Sequence, residues 1–123
     1  MPTSASVFPL AHIALTAAIT AGVALLVLVI LRSRLRAFSL FDCLLVALVV
    51  GLSVVVWRSA GNTGALNDDP LPGVSPNDVL TPLVTYLFLG FYAAFRRPAD
   101  VAHFEQVRVL LTLVSFIVNV VTI

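Results

Sequence analysis

Residues 10–31 read LAHIALTAAITAGVALLVLVIL, and this stretch decides the fold class. It holds one histidine, His12, and no Asp, Glu, Lys or Arg. A helix that crosses the hydrocarbon core of a bilayer, about 30 Å thick, needs about 20 predominantly apolar residues. The stretch therefore predicts a transmembrane helix.

Three further apolar stretches follow, at 40–57, 78–95 and 100–123, with a loop rich in Gly, Pro, Asn and Asp at 58–77. Each stretch meets the lower limit of about 17 residues for a membrane span. A three-span arrangement, with one stretch re-entrant or lying in the interface, is the alternative. None of the four has the charged face that an interfacial helix needs. We therefore expect an all-α integral membrane protein, with residues 1–123 forming a single transmembrane domain of four helices.

The composition agrees with a lipid environment. The 123 residues are 60% hydrophobic and 11% charged, whereas a soluble domain carries about 25% charged residues. The formal net charge of +1 gives no bulk field that would attract nucleic acid. The single cysteine, Cys43, excludes a disulfide within the chain and reads as a small buried or lipid-facing residue.

The arginines predict an orientation, because short loops rich in Lys and Arg stay on the cytoplasmic side. The long loop 58–77 holds one arginine, Arg58, together with the acidic pair Asp68 and Asp69. The other six fall on the opposite side of the predicted membrane: Arg32, Arg34, Arg36, Arg96, Arg97 and Arg108. We therefore expect both termini on the outer, periplasmic side of a plasma (inner) membrane.

Small residues recur every four positions in the first predicted helix, at Ala14, Ala18 and Gly22, and Ala17 with Ala21 widens the strip. Membrane helices associate through small residues, because lipid tails compete equally well for bulky apolar contacts. The strip predicts a close helix contact, within this chain or with a partner.

Polar residues line one face of the fourth predicted helix. Thr112, Ser115, Asn119 and Thr122 are spaced by 3, 4 and 3 residues, which places them on the same side. The face has three interpretations: a packing seam inside this protein, a seam against a larger partner, or the polar wall of a conduction path or ligand pocket.

The sequence contains no recognisable catalytic or cofactor motif. GxSxG, CxxC, HExxH and a phosphate-binding loop are all absent, and the deep parts of the predicted spans carry no ionisable side chain. His12 and His103 fall on opposite membrane sides, so they cannot share one haem within the chain. Asp68 and Asp69 alone are too few ligands for calcium. We expect no catalytic residue, no metal, no cofactor and no enzyme activity.

These features predict a non-catalytic accessory subunit of a larger membrane complex, with a respiratory or photosynthetic electron-transport assembly as the concrete case. The expected partners are other integral membrane subunits and lipid, without nucleic acid or a soluble small-molecule substrate. The alternative is a self-associating small channel or transporter whose path is lined by the polar face of the fourth helix. A transient assembly factor or scaffold is the third hypothesis.

Overall fold

A computed structural model describes residues 8–31, 39–62, 64–67, 74–98 and 100–122. The architecture is all-helical, and within the described ranges four helices are long and apolar enough to cross a membrane. This confirms the predicted all-α fold with four helices of spanning length and composition, while their insertion into a membrane stays a prediction. The elements are α1 (Leu10–Leu31), α2 (Leu40–Ala60), the short α3 (Gly64–Asn67), α4 (Pro76–Phe95) and α5 (Val101–Thr122).

The helix bounds follow capping chemistry rather than hydropathy. α2 continues to Ala60, where the backbone N–H of Gly61 donates to the Trp57 carbonyl at 2.7 Å. Arg58 therefore belongs to the last turn of α2 and not to the loop expected at 58–77, part of which is the helix α3. The arginines at positions 32, 34 and 36 and the acidic pair Asp68–Asp69 lie outside the described residues, so the orientation stays a prediction.

Two of the helices begin with the same motif. Ser39 caps α2 and Ser75 caps α4, and each serine hydroxyl accepts a hydrogen bond from the backbone N–H three residues later, at Asp42 or Asp78. Each aspartate accepts in return from the backbone N–H of its serine. Such a capping box satisfies N–H groups that a helix start leaves without partners. Pro76, at the first helical position, has no N–H to satisfy.

The four long helices form a closed ring in the order α1, α2, α4, α5, in which α5 returns to contact α1. Successive helices run in opposite directions. The bundle therefore has two ends, which we name by their arginines. At the Arg58 end α2 stops and α4 starts, and at the Arg96 end α4 stops and α2 starts.

The interior differs between the two ends. The half nearer the Arg96 end is filled by apolar side chains, namely Ala24, Leu28, Cys43, Val46, Val50, Leu89, Phe104, Val107 and Leu111. The half nearer the Arg58 end holds buried polar residues, including Thr16, Thr20, Ser53, Arg58, Asn77, Asp78, Thr81, Thr85, Ser115 and Asn119. Polar groups buried in a bilayer need internal partners, so the second half is where the candidate site lies.

Candidate functional site

A connected set of six buried polar side chains crosses the interior from the Arg58 end towards the middle of the bundle. We call it the polar chain. Its members, each at most 3% exposed when the whole residue is counted, are Asp78, Arg58, Asn119, Ser115, Thr85 and Ser53. They come from three helices, α2, α4 and α5, so the polar chain joins the parts of the bundle that are far apart in sequence.

Arg58 is the centre of the polar chain. Its Nη2 donates to Asp78 Oδ1 at 2.6 Å and its Nε donates to Asn119 Oδ1 at 3.0 Å. The side chains of Arg58 and Asp78 are 1% and 4% exposed, so this ion pair is almost fully removed from solvent and lipid. Burying charge is costly unless a partner offsets it, and here the aspartate is that partner.

Asp78 serves two structures at once. Its Oδ2 accepts from the Ser75 backbone N–H at 2.8 Å within the α4 capping box, and its Oδ1 accepts from Arg58. A carboxylate in the first turn also lies at the positive end of the helix dipole. The capping box at the start of α4 thus fixes the position of the carboxylate that accepts the bond from Arg58.

One donor of Arg58, Nη1, has no partner among the described residues. Nη1 is enclosed and makes no hydrogen bond to any residue that the structure describes. A buried donor in this state costs about 1–3 kcal/mol relative to a satisfied one. The guanidinium is therefore held by two of its three nitrogens.

Hydroxyl groups continue the polar chain below Asn119. The Asn119 amide donates to the Ser115 carbonyl at 2.6 Å. The Ser115 hydroxyl lies 2.9 Å from that of Thr85, which lies 2.8 Å from that of Ser53. Ser53 donates to the Val50 carbonyl at 2.6 Å, which ends the series. These bonds connect α5, α4 and α2, and interhelical hydrogen bonds of this kind contribute about 0.6 kcal/mol each on average in a membrane protein.

The opposite end of the bundle carries a second arginine–aspartate pair between the same two helices. Asp42 Oδ1 accepts from Arg96 Nε and Nη2 at 3.1 and 3.0 Å. The side chains of Arg96 and Asp42 are 51% and 19% exposed. The Arg96 guanidinium also lies 5.4 Å from the centre of the Phe41 ring. The hydrogen bond to Asp42 raises the pKa of Arg96, so this group stays charged.

Three asparagines join the loops at the Arg58 end. Asn77 donates to the Gly61 carbonyl and to Asn67, and Asn67 donates to Asn62. Asn62 in turn exchanges two hydrogen bonds with the Phe8 backbone, at 3.0 and 2.8 Å. The segment before α1, the end of α2, α3 and the start of α4 are therefore fixed to one another.

The structure places the residues predicted on the fourth helix within the bundle. Ser115 and Asn119 belong to the polar chain. Thr122 contacts α1, because its carbonyl lies 2.7 Å from His12 Nε2 and its hydroxyl lies 3.1 Å from that of Thr16. Thr112 donates to the carbonyl of Arg108 on its own helix.

The predicted strip on α1 lies on the outside of the bundle, unlike the polar residues of α5. Ala14, Ala18 and Gly22 are exposed, and a Cβ added at Gly22 would meet nothing within 4 Å. The residues of α1 that approach α2 are Ala17 and Ala21: a Cβ added at Gly51 would lie 3.0 Å from Ala21 Cβ. The close contact inside the chain uses the neighbouring small residues and leaves the predicted strip uncovered.

Arg58, Asp78 and Ser53 belong to an interior site that the sequence alone does not predict. Arg58 read as a loop charge because the apolar run stops at Trp57. The signal that could have found it is periodicity: Val50, Val54 and Arg58 are four residues apart and all buried, so the inward face of α2 continues onto the arginine.

Arg108, on α5, is a second arginine inside a long helix. Its Nε donates to the Tyr86 carbonyl at 2.8 Å, and its guanidinium carbon lies 3.6 Å from the centre of the Tyr86 ring. A Cβ added at Gly90 would collide with the guanidinium, so the glycine is the reason that the arginine can lie flat on α4. Glu105 accepts a longer bond from it at 3.3 Å.

Within the described ranges no group of three or more His, Cys, Asp and Glu side chains could hold a metal ion. What the arrangement offers chemically is a fixed cation, its counter-ion and a series of mutually bonded hydroxyls. No family model matches the chain, and no curated protein and no solved structure is similar to it.

Proposed function

We propose that this protein is a non-catalytic subunit of a larger integral membrane assembly and that it acts by helix packing. A transmembrane helix of a partner subunit would lie against the outward face of α1. An energy-transducing, electron-transporting assembly is the first one to test, because small helical chains without chemistry of their own commonly stabilise such complexes. The Arg58 end is proposed to face the outer side of the plasma membrane.

The observation that carries the proposal is the uncovered strip on α1. Ala14, Ala18 and Gly22 recur at four-residue intervals, and all three are exposed although the bundle is closed by the contact of α1 with α5. Small residues allow two helix backbones to approach closely in lipid. The strip therefore has the form of a helix contact whose second helix belongs to another chain.

A groove beside the strip supports the same proposal. It has a volume of about 410 Å³ and an apolar lining from α1 and α2, made by Ala17, Ala18, Ala21, Leu48, Gly51, Leu52 and Val55. Ala18 belongs to both the strip and the groove. A partner helix on the strip would place its larger side chains in the groove, as ridges of one helix fill grooves of another.

The alternative, a small channel or transporter, gains less support from the polar face of α5. Ser115 and Asn119 are fully buried, and their polar atoms bond to α2 and α4. A conduction path needs such groups to face water or cargo. The hydrogen bonds favour a packing seam for this face.

The test compares variants that add bulk to the strip with one that adds the same bulk elsewhere. Ala18→Leu and Gly22→Leu would be expressed at native level, and membranes would be dissolved in mild detergent and resolved on a native gel. We expect the wild-type chain to migrate in a large assembly with other membrane subunits and the two variants to be released from it. Ala94→Leu, at an exposed alanine of α4, is the matched control and should remain assembled.

Two outcomes would contradict the proposal. The first is migration of the wild-type chain as an isolated monomer or dimer. The second is equal assembly of all three variants. Thermal unfolding of each purified chain by circular dichroism separates loss of a partner from loss of the fold, because none of the three leucines replaces a residue buried inside the bundle.

A further inference from the structure

A second apolar groove lies between α2 and α4 and opens towards the Arg96 end. Its volume is about 360 Å³, within the range of about 300–1,000 Å³ that is typical of ligand sites. Its lining is apolar and largely aromatic, from Val49, Leu52, Phe88, Phe91, Tyr92 and Phe95. Phe91 is 59% exposed and Phe95 is 92% exposed, so neither side chain is covered by the rest of the bundle.

Two arginines follow the end of this groove directly. Arg96 and Arg97 come immediately after Phe95, and both are exposed. Arg96 already bonds Asp42, which neutralises its charge locally. Arg97 has no hydrogen bond or ion pair within the part of the chain that the structure describes. Arg97 therefore brings a positive charge, without a counter-ion among the described residues, to a position two residues after the groove-lining Phe95.

An apolar groove with an uncompensated cation at its mouth matches an amphiphile with an apolar tail and an anionic head. We propose that this groove binds one acyl chain of an anionic phospholipid, whose phosphate contacts Arg97 while Arg96 is held alongside by Asp42. Phospholipid is the chemistry that supplies both parts at this depth, since basic sites between helix ends recognise lipid phosphates. A helix of another chain would fill the apolar part but would need an acidic residue beside Arg97 to match its charge.

The experiment measures lipid retained by the purified chain in native mass spectrometry. The chain in detergent is mixed with equal amounts of dioleoylphosphatidylglycerol and dioleoylphosphatidylcholine, and the adducts are counted. We expect one phosphatidylglycerol to be retained at least about fivefold more than phosphatidylcholine, equivalent to about 1 kcal/mol. Arg97→Gln should remove this preference, and Arg97→Lys should keep most of it because the charge remains.

A second pair of variants tests the tail site. Phe91→Ala removes a wall of the groove and should weaken retention of phosphatidylglycerol. Leu87→Ala, one helical turn earlier on the same helix and similarly exposed at 55%, should not. Circular dichroism in the same detergent checks that each variant is folded.

Three results would overturn the proposal. Equal retention of the two lipids would mean that the site does not discriminate between anionic and zwitterionic head groups. If retention of phosphatidylglycerol is lost in Phe91→Ala but unchanged in Arg97→Gln, the groove binds lipid tails without selecting the head group. A dimer that excludes phosphatidylglycerol and dissociates in Phe91→Ala would show that a second copy of the chain occupies the groove.

Discussion

Two ion pairs connect α2 and α4, one at each end of the bundle, and they are built from the same parts. In each, the aspartate of a capping box at the start of one helix bonds an arginine at the end of the other: Asp78 with Arg58, and Asp42 with Arg96. The first pair is buried beneath α5 and bonds Asn119 as well. The second is open to its surroundings and lies against an aromatic ring.

The difference shows that position in the bundle, rather than the local motif, sets what such a pair contributes. An exposed pair is screened and contributes little. A buried pair contributes little net stability compared with an apolar replacement, but removing one partner strands a charge and costs about 3–5 kcal/mol. The buried pair should therefore matter most when it is half broken, and it fixes which helix ends meet.

The largest expected effect is the contrast between Asp78→Ala and Asp42→Ala. Both variants remove the acidic member of a capping box from the first helical turn, a loss of about 0.3–1 kcal/mol. Asp78→Ala also leaves the Arg58 charge buried without a counter-ion, so we expect it to lower the free energy of unfolding by about 3–5 kcal/mol more. Reversible unfolding in mixed micelles measures both values. Equal losses would mean that burial does not distinguish the two pairs.

The next contrast concerns removal of both members of an ion pair at once. We expect the double variant Arg58→Leu with Asp78→Leu to unfold less readily than either single variant, because no uncompensated charge remains inside the bundle. The coupling free energy in this cycle should be on the order of 1–3 kcal/mol. The same cycle at Arg96 and Asp42 should show no comparable rescue. Additive losses at Arg58 and Asp78 would argue against a stranded charge.

Salt provides a smaller contrast between the pairs. Between about 0.1 M and about 1 M salt the Debye length falls from about 10 Å to about 3 Å. The stability lost in Asp42→Ala should shrink over this range, because water and ions reach the exposed pair. The loss in Asp78→Ala should stay constant. Unfolding curves at the two salt concentrations check both, and a strong salt dependence at Asp78 would place water around the buried pair.

The smallest effect is expected at Asp100, an acidic cap that pairs with His103 and with no arginine among the described residues. Its Oδ1 accepts from the His103 backbone N–H at 3.1 Å, and this bond lowers the pKa of the Asp100 carboxyl below its ordinary value. Because the folded-state pKa is lowered, the stabilisation is present above the unfolded-state pKa of about 3.9 and is lost as pH falls through the lower folded-state value.

Asp100→Asn should therefore abolish a small, acid-sensitive part of the unfolding free energy. Unfolding curves of the wild type and the variant should converge below about pH 4. An equal difference at all pH values would show that the ionised carboxylate is not what stabilises the start of α5. The stabilisation by this cap is the reference value for an acidic cap without an arginine partner in the described ranges, with which both arginine pairs can be compared.

The four long helices could be predicted from the sequence because hydropathy over about 20 residues is a strong signal. The polar residues of α5 could also be assigned to one face from their spacing. Their partners could not, because hydropathy ends a helix where apolar residues end, and Arg58 lies beyond that point. The choice between Ala14–Ala18–Gly22 and Ala17–Ala21 was equally open, since both sets recur every four residues and only the rotation of α1 distinguishes them.

The buried arginine also has a consequence for the order in which the chain is made. Arg58 leaves the ribosome twenty residues before Asp78 and sixty-one before Asn119. During synthesis α2 must therefore keep a cation at the membrane surface until the second helical hairpin arrives to receive it. The partners of the first hairpin's arginine thus come from α4 and α5, and a nascent chain that stops before residue 119 would lack the Asn119 acceptor of Arg58.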